Sequence, residues 1–295
     1  MRSSNPVFSR RGFSRDNGYA GFNAAPQAGA PAAGANPYAQ GTAANPYATN
    51  PYAQQDTQYG TPQAPPAPGV MTIDDVVTRT AMTLGTVVLT AALSWALLPV
   101  DEANLGKSYG IAIGAALVAF VFAMIQSFKR KASPALILAY AAFEGVFLGV
   151  ISSAVSTYIS PGTVIQAVIG TMCVFAGVLI AYKMRWIRVT RRFYGFVMAA
   201  AMGFLFLLVI NLLFTVFSGG DGLGFRSGGL GILFGVVGII LGACFLALDF
   251  KQVEDGIAYG APREESWLAA FGLTLTLVWI YLEMLRLLSI LNGND

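Results

Sequence analysis

Histidine is absent from this 295-residue chain. That removes imidazole zinc sites, histidine general bases and histidine pH switches together. Charge is scarce too. Asp, Glu, Lys and Arg make up 11% of the residues, against about 25% in an ordinary soluble domain. With 55% hydrophobic residues, the chain reads as a membrane protein with several spans. Cysteine is limited to Cys173 and Cys244, both inside apolar runs. They are expected as small buried residues rather than as a disulfide or a reactive thiol. No apolar stretch follows the basic start MRSSNPVFSRRGFSRDNG, so this start is not expected to act as a secretory signal peptide.

Residues 1 to about 70 are rich in Ala, Pro, Gly, Gln, Asn and Tyr, and Asn-Pro-Tyr-Ala recurs from Asn36, Asn45 and Asn50. Such a composition buries too little apolar surface to offset the entropy of ordering, so this region is expected to be a disordered cytoplasmic leader. It suits a docking arm, or a contact with anionic lipid through Arg2, Arg10, Arg11 and Arg15. Residues 71–295 form the membrane domain. Met71-Thr-Ile-Asp-Asp-Val-Val-Thr-Arg79 reads as an amphipathic lead-in at the membrane surface. Seven apolar segments follow, near 80–99, 109–127, 134–157, 163–182, 193–217, 229–250 and 266–291. The fold class is therefore all-α and polytopic, with short connections that favour antiparallel neighbours.

Lys and Arg set the orientation. The N-terminal region carries Arg2, Arg10, Arg11, Arg15 and Arg79, and the second connection Lys129, Arg130 and Lys131. The fourth carries Lys183, Arg185, Arg188, Arg191 and Arg192, and the sixth Lys251 and Arg263. The opposite side has Lys107 and Arg226. The N-terminus is expected in the cytoplasm, with the protein in the plasma membrane and the C-terminus outside. Gly231, Gly235, Gly238 and Gly242 in segment six, and Gly145 and Gly149 in segment three, have the spacing that lets helix backbones approach closely in lipid.

Four ionisable residues interrupt the spans: Glu144 in segment three, Asp249 at the end of segment six, and Glu283 with Arg286 in segment seven. Glu283 and Arg286, three residues apart, share a helix face. Charged groups at bilayer depth turn inward to each other or to water, so segment seven is expected to be the central post. One reading is an ion-pair cluster that only locks helices. The other is an ion or proton site. Burial raises a carboxyl pKa and two close carboxyls share a proton, so such a group switches without histidine. Deprotonated, the same oxygens suit a hard cation such as Ca²⁺, and Arg286 competes for them as a tethered cation.

Three stretches carry a resemblance: Leu248-Asp249-Phe250-Lys251-Gln252-Val253, Ile280-Tyr281-Leu282-Glu283-Met284-Leu285, and Ala142-Phe143-Glu144-Gly145-Val146-Phe147-Leu148-Gly149. In order, spacing and seven-span layout, residues 75–295 resemble the transmembrane Bax-inhibitor-motif family, and the Asn-Pro-rich leader looks most like its actinobacterial branch. The resemblance implies a last helix surrounded by the other six. It also implies a pH-sensitive Ca²⁺ leak, with Asp249 and Glu283 as a proton-sharing pair and Ca²⁺ site, and Glu144 as the third-helix acid. Three features depart from the family pattern: Glu rather than Asp at position 283, a longer loop between the two acids, and Arg286 where a neutral polar residue is expected.

By helix rise, Asp249 lies near the cytoplasmic face and Glu283 towards the outside. Direct contact requires segment six to continue well past Asp249, or segment seven to begin in the cytosol near Pro262. The alternative is a local grouping of Glu283 with Arg286 and Glu144. The competing function is a non-transporting regulator that partners a membrane protease or quality-control complex, with the leader as docking arm. An enzyme is not expected, because no Ser-His dyad can form and no motif supports an acid pair acting on water. Segment seven has no Lys for a retinal Schiff base. The expected partners are the bilayer and Ca²⁺ or H⁺, with no nucleic acid and no cofactor beyond Ca²⁺ as transported ion.

Overall fold

The computed structural model describes residues 69–129, 131–218 and 227–293. The leader expected over 1–70 lies outside them apart from its last two residues. Among the described residues there are seven helices: α1 (Ile73–Leu97), α2 (Leu105–Phe128), α3 (Pro134–Tyr158), α4 (Pro161–Lys183), α5 (Arg191–Ser218), α6 (Gly228–Ala258) and α7 (Glu265–Asn292). All seven are long and apolar enough to cross a membrane.

Local chemistry accounts for the boundaries. Thr72 caps α1. Its hydroxyl accepts from the Asp75 amide at 3.2 Å and donates to the Asp75 carboxylate at 2.8 Å, and Asp74 and Asp75 put negative charge in the first turn. The lead-in from Ile73 to Arg79 is thus the opening of α1 itself rather than a separate surface segment. Pro134 and Pro161 open α3 and α4, where a missing N–H costs nothing. Segment six does continue past Asp249, ending at Ala258, because Lys251 ties back along the helix to Asp255 at 3.0 Å and to Glu254 at 3.7 Å.

α7 is the most enclosed helix. Half of its apolar window is buried, against 17% for α5. Its backbone packs closely on α1, α3, α4 and α6. α5 packs on α6 and reaches α7 through Phe204, which meets the Trp279 ring edge-on. Phe271 of α7 meets Tyr140 of α3 in the same way and shares a cluster with Ala119 of α2. Neutral polar pairs fasten the post on three sides. The Thr274 and Thr83 hydroxyls lie 2.8 Å apart (α7–α1). The Tyr281 and Ser152 hydroxyls lie 2.6 Å apart (α7–α3). Asn292 donates to Thr163 at 2.9 Å (α7–α4).

Glycine sets the closest helix approach. A Cβ on Gly145 would overlap the Thr90 side chain and the Val87 carbonyl of α1, and one on Gly149 would overlap Ser94 and the Ala91 carbonyl. Ser94 spans the same contact by donating to the Val146 carbonyl at 3.2 Å. Cys244 is half-buried, but Cys173 lies exposed on α4, contrary to the expectation for both. A lipid-facing position is as apolar as a core one, so hydropathy does not separate them.

At the basic end, the chain entering α1 is pinned to the α6–α7 connection. The Met71 amide donates to the Ala261 carbonyl at 2.9 Å, and the Arg263 amide to the Gly69 carbonyl at 2.8 Å. The Arg263 guanidinium donates twice to Asp75 Oδ1 at 2.8 Å. Arg79 donates to the Arg263 carbonyl and lies over the Trp267 ring at 5.2 Å.

Candidate functional site

Glu283 and Arg286 sit one turn apart on the α7 face that meets α6. Arg286 Nη2 donates to Glu283 Oε2 at 2.5 Å, with side-chain exposures of 15% and 6%. Room for them comes from α6. A Cβ on Gly238 would stand 3.0 Å from Glu283 Cδ and 3.1 Å from Oε2, and one on Gly235 would stand 3.7 Å from Arg286 Nη2. Trp279 closes this wall by donating Nε1–H to the Gly238 carbonyl at 3.1 Å. Either charge alone would be costly here, and the pair is net neutral. Two of the guanidinium donors lie outside the pair: Arg286 Nε and Nη1 are buried without a hydrogen-bond partner among the described residues. Such donors carry a desolvation cost of about 1–3 kcal/mol each. They are the unmet valence of the site, open to water or to a second carboxylate.

Asp249 lies further along the same α6–α7 contact. Its Oδ2 accepts from the Thr276 hydroxyl at 2.6 Å. Its Oδ1 lies over Gly272, where a Cβ would come within 3.3 Å. Gly272, Thr276, Trp279 and Glu283 recur at four, three and four residues, so one stripe of α7 carries both acid sites.

The structure therefore holds Asp249 and Glu283 apart. Each has its own partner, and the step from Thr276 to Glu283 is about 10 Å of helix rise. The continuation of α6 past Asp249 does not bring them together, because the two helices run antiparallel and Asp249 meets α7 well before Glu283. A Ca²⁺ ion or a proton held by both needs one helix displaced along the other. Among the described residues no group of three or more acidic or thiol side chains is placed to hold a metal ion. Glu144 is half-buried on α3, beside the Gly145 contact with α1. It makes no hydrogen bond or ion pair among the described residues and is outside the Glu283–Arg286 pair. Of the local grouping, the structure forms the Glu283–Arg286 part.

Sequence reasoning passed over Thr276, Gly272 and Trp279. The signal was present: Thr276 stands seven residues before Glu283, two turns back on the same face. A Thr inside a span donates without carrying charge, and only the structure shows Asp249 opposite it.

The arrangement is a line of acids along one helix interface, each held by a donor on α7, one by a hydroxyl and one by a guanidinium. No curated protein matches the sequence. The family model described as Bax inhibitor 1 like matches residues 5–293, nearly the whole chain, and with seven candidate spans of that layout the protein belongs to the Bax inhibitor 1-like family of membrane proteins.

Proposed function

We propose that this protein is a pH-sensitive cation leak, with Ca²⁺ as its cargo, and that the structure is its closed form. The observation that carries the reading is a buried ion pair, Glu283 with Arg286, set inside a membrane span against the glycine face of α6. Arg286 occupies the carboxylate that a cation would otherwise approach. Protonating Glu283 removes the charge that holds Arg286 and frees it to swing. Asp249, held by one hydroxyl, is the second oxygen site along the path, and Glu144 the third. The Lys and Arg distribution supports a cytoplasmic N-terminus in the plasma membrane.

A non-transporting regulator of a membrane protease or quality-control complex is the second reading. What favours it is that the α6–α7 contact is closed by direct hydrogen bonds. The test is Ca²⁺ uptake into liposomes containing the full chain, from pH 6 to 8. The leak reading expects a pH-dependent flux that Glu283→Gln abolishes or renders independent of pH. Flux no greater than in empty liposomes at every pH would overturn it in favour of the regulator.

A further inference from the structure

α4 ends in a Schellman motif. The Arg185 amide donates to the Tyr182 carbonyl and the Trp186 amide to the Ala181 carbonyl, both at 2.9 Å. The residue after the cap in this motif adopts a left-handed backbone, and glycine is the residue that fits. Here it is Arg185, at φ +59°, alone among the described non-glycine residues in having positive φ. A charged side chain stands where the backbone favours none.

Beside it lies a cavity of about 490 Å³ lined in part by Lys183, Arg185, Arg188 and Lys251, with Tyr182 and Glu254. Lys251 is already paired with Glu254 and Asp255, and the Tyr182 hydroxyl donates to Glu254. The one acid of the pocket is thus satisfied from within. Lys183, Arg185 and Arg188 are exposed and make no ion pair or hydrogen bond among the described residues. Trp186 is 73% exposed next to them, at the end of a span, where an indole sits at headgroup level. Three unpaired cations around a concave site at the membrane surface, beside an interfacial aromatic, are complementary to a phosphate carried by the bilayer.

We propose that this pocket binds the phosphate of an anionic phospholipid headgroup through Lys183, Arg185 and Arg188. The site does not depend on whether the chain conducts ions. Native mass spectrometry of the full chain in neutral detergent, titrated with phosphatidylglycerol or phosphatidylcholine, tests it. Phosphatidylglycerol should be retained in preference. Lys183→Gln and Arg188→Gln should each weaken it about fivefold, as expected for loss of one cation at the surface. Arg185→Gly should weaken it similarly while leaving the melting temperature in lipid-free detergent equal or higher, because glycine fits the left-handed position. A purely structural arginine would not separate these readouts. Lys129→Gln with Lys131→Gln, on the α2–α3 connection, should leave binding unchanged. The proposal is overturned by equal losses in that control, by equal retention of phosphatidylcholine, or by unchanged binding in Arg185→Gly. It is also overturned if millimolar inorganic phosphate is itself retained and displaces phosphatidylglycerol, which would make the ligand a soluble phosphate.

Discussion

Replacing Gly238 with alanine tests whether α6 is shaped around the buried pair. The new methyl would stand 3.0 Å from Glu283 Cδ and 3.1 Å from Cγ and Oε2. Real Cβ atoms are rarely so close, so something must give. Glu283 is not a free end: Arg286 holds it at 2.5 Å, and Trp279 fastens the adjacent α6 carbonyl. Overpacking of this kind costs about 1–3 kcal/mol. Alanine recovers about 0.5–1 kcal/mol as the better helix former. The net expectation is a loss of about 1–2 kcal/mol. The internal control is Gly203→Ala on α5, where a Cβ meets nothing within 4 Å and only the propensity gain remains. Thermal unfolding of the two full-length variants in one detergent should place Gly238→Ala a few degrees below wild type and Gly203→Ala at or slightly above it. Equal melting of the two variants would refute the tight wall around Glu283.

Two further outcomes follow from the polar contacts of α7. Thr276→Val removes the donor to Asp249 while preserving shape. It should cost about 1.5–3 kcal/mol, the usual worth of a hydrogen bond to a charged group, whereas Thr276→Ser should keep most of the stability. Denaturant titration in detergent reads both, and equal losses would place the effect in packing instead. For Thr83 and Thr274, a double-mutant cycle to Val should return a coupling of about 0.6 kcal/mol, typical of hydroxyl pairs between membrane helices. Each hydroxyl also has a carbonyl acceptor on its own helix, Thr80 at 3.0 Å and Ala270 at 2.8 Å, and with one proton per hydroxyl only one of the two donates across the pair at a time. A coupling of several kcal/mol would contradict that sharing.

Hydropathy and glycine spacing made much of the architecture legible. A span must satisfy its backbone internally, so seven apolar runs could only be helices, and the boundaries differ mainly at the two ends that leave the bilayer. α1 begins earlier than its apolar run because Thr72 and Asp75 cap it. α6 ends later because Lys251, Glu254 and Asp255 make a charged helical turn outside the apolar stretch. Composition sees neither. Glu283 and Arg286 were legible as a pair because one helix sets their spacing. Asp249 was legible as an intramembrane acid, but its partner was not. Which residue of α7 it meets depends on the offset between two antiparallel helices, and that offset is set by Gly238, Gly242 and Gly272 fitting against Glu283, Ile280 and Asp249. One-dimensional spacing carries no information about it.

The contacts of α7 differ in kind around its circumference. Towards α1, α3 and α4 it offers neutral groups: Thr274, Tyr281 and Asn292. Neutral hydrogen bonds are insensitive to pH in the physiological range, and they hold α7 to those helices whatever the state of its acids. Towards α6 it offers Thr276 to a carboxylate and a Glu–Arg pair to a glycine wall. Here the side-chain hydrogen bonds other than Trp279 to the Gly238 carbonyl involve a carboxylate, and the remaining contacts are apolar. Among the contacts of α7 itself, a change in protonation therefore acts on the α6 side. Under the proposed reading α6 is the helix that responds, since Gly235, Gly238 and Gly242 line its face towards α7. The connection it leads into is held separately, by Met71, Asp75 and Arg79. Under the proposed reading, opening is a displacement of α6 from a post that the other three helices keep in place. The first bond to go is Arg286 to Glu283, and Thr276 to Asp249 follows.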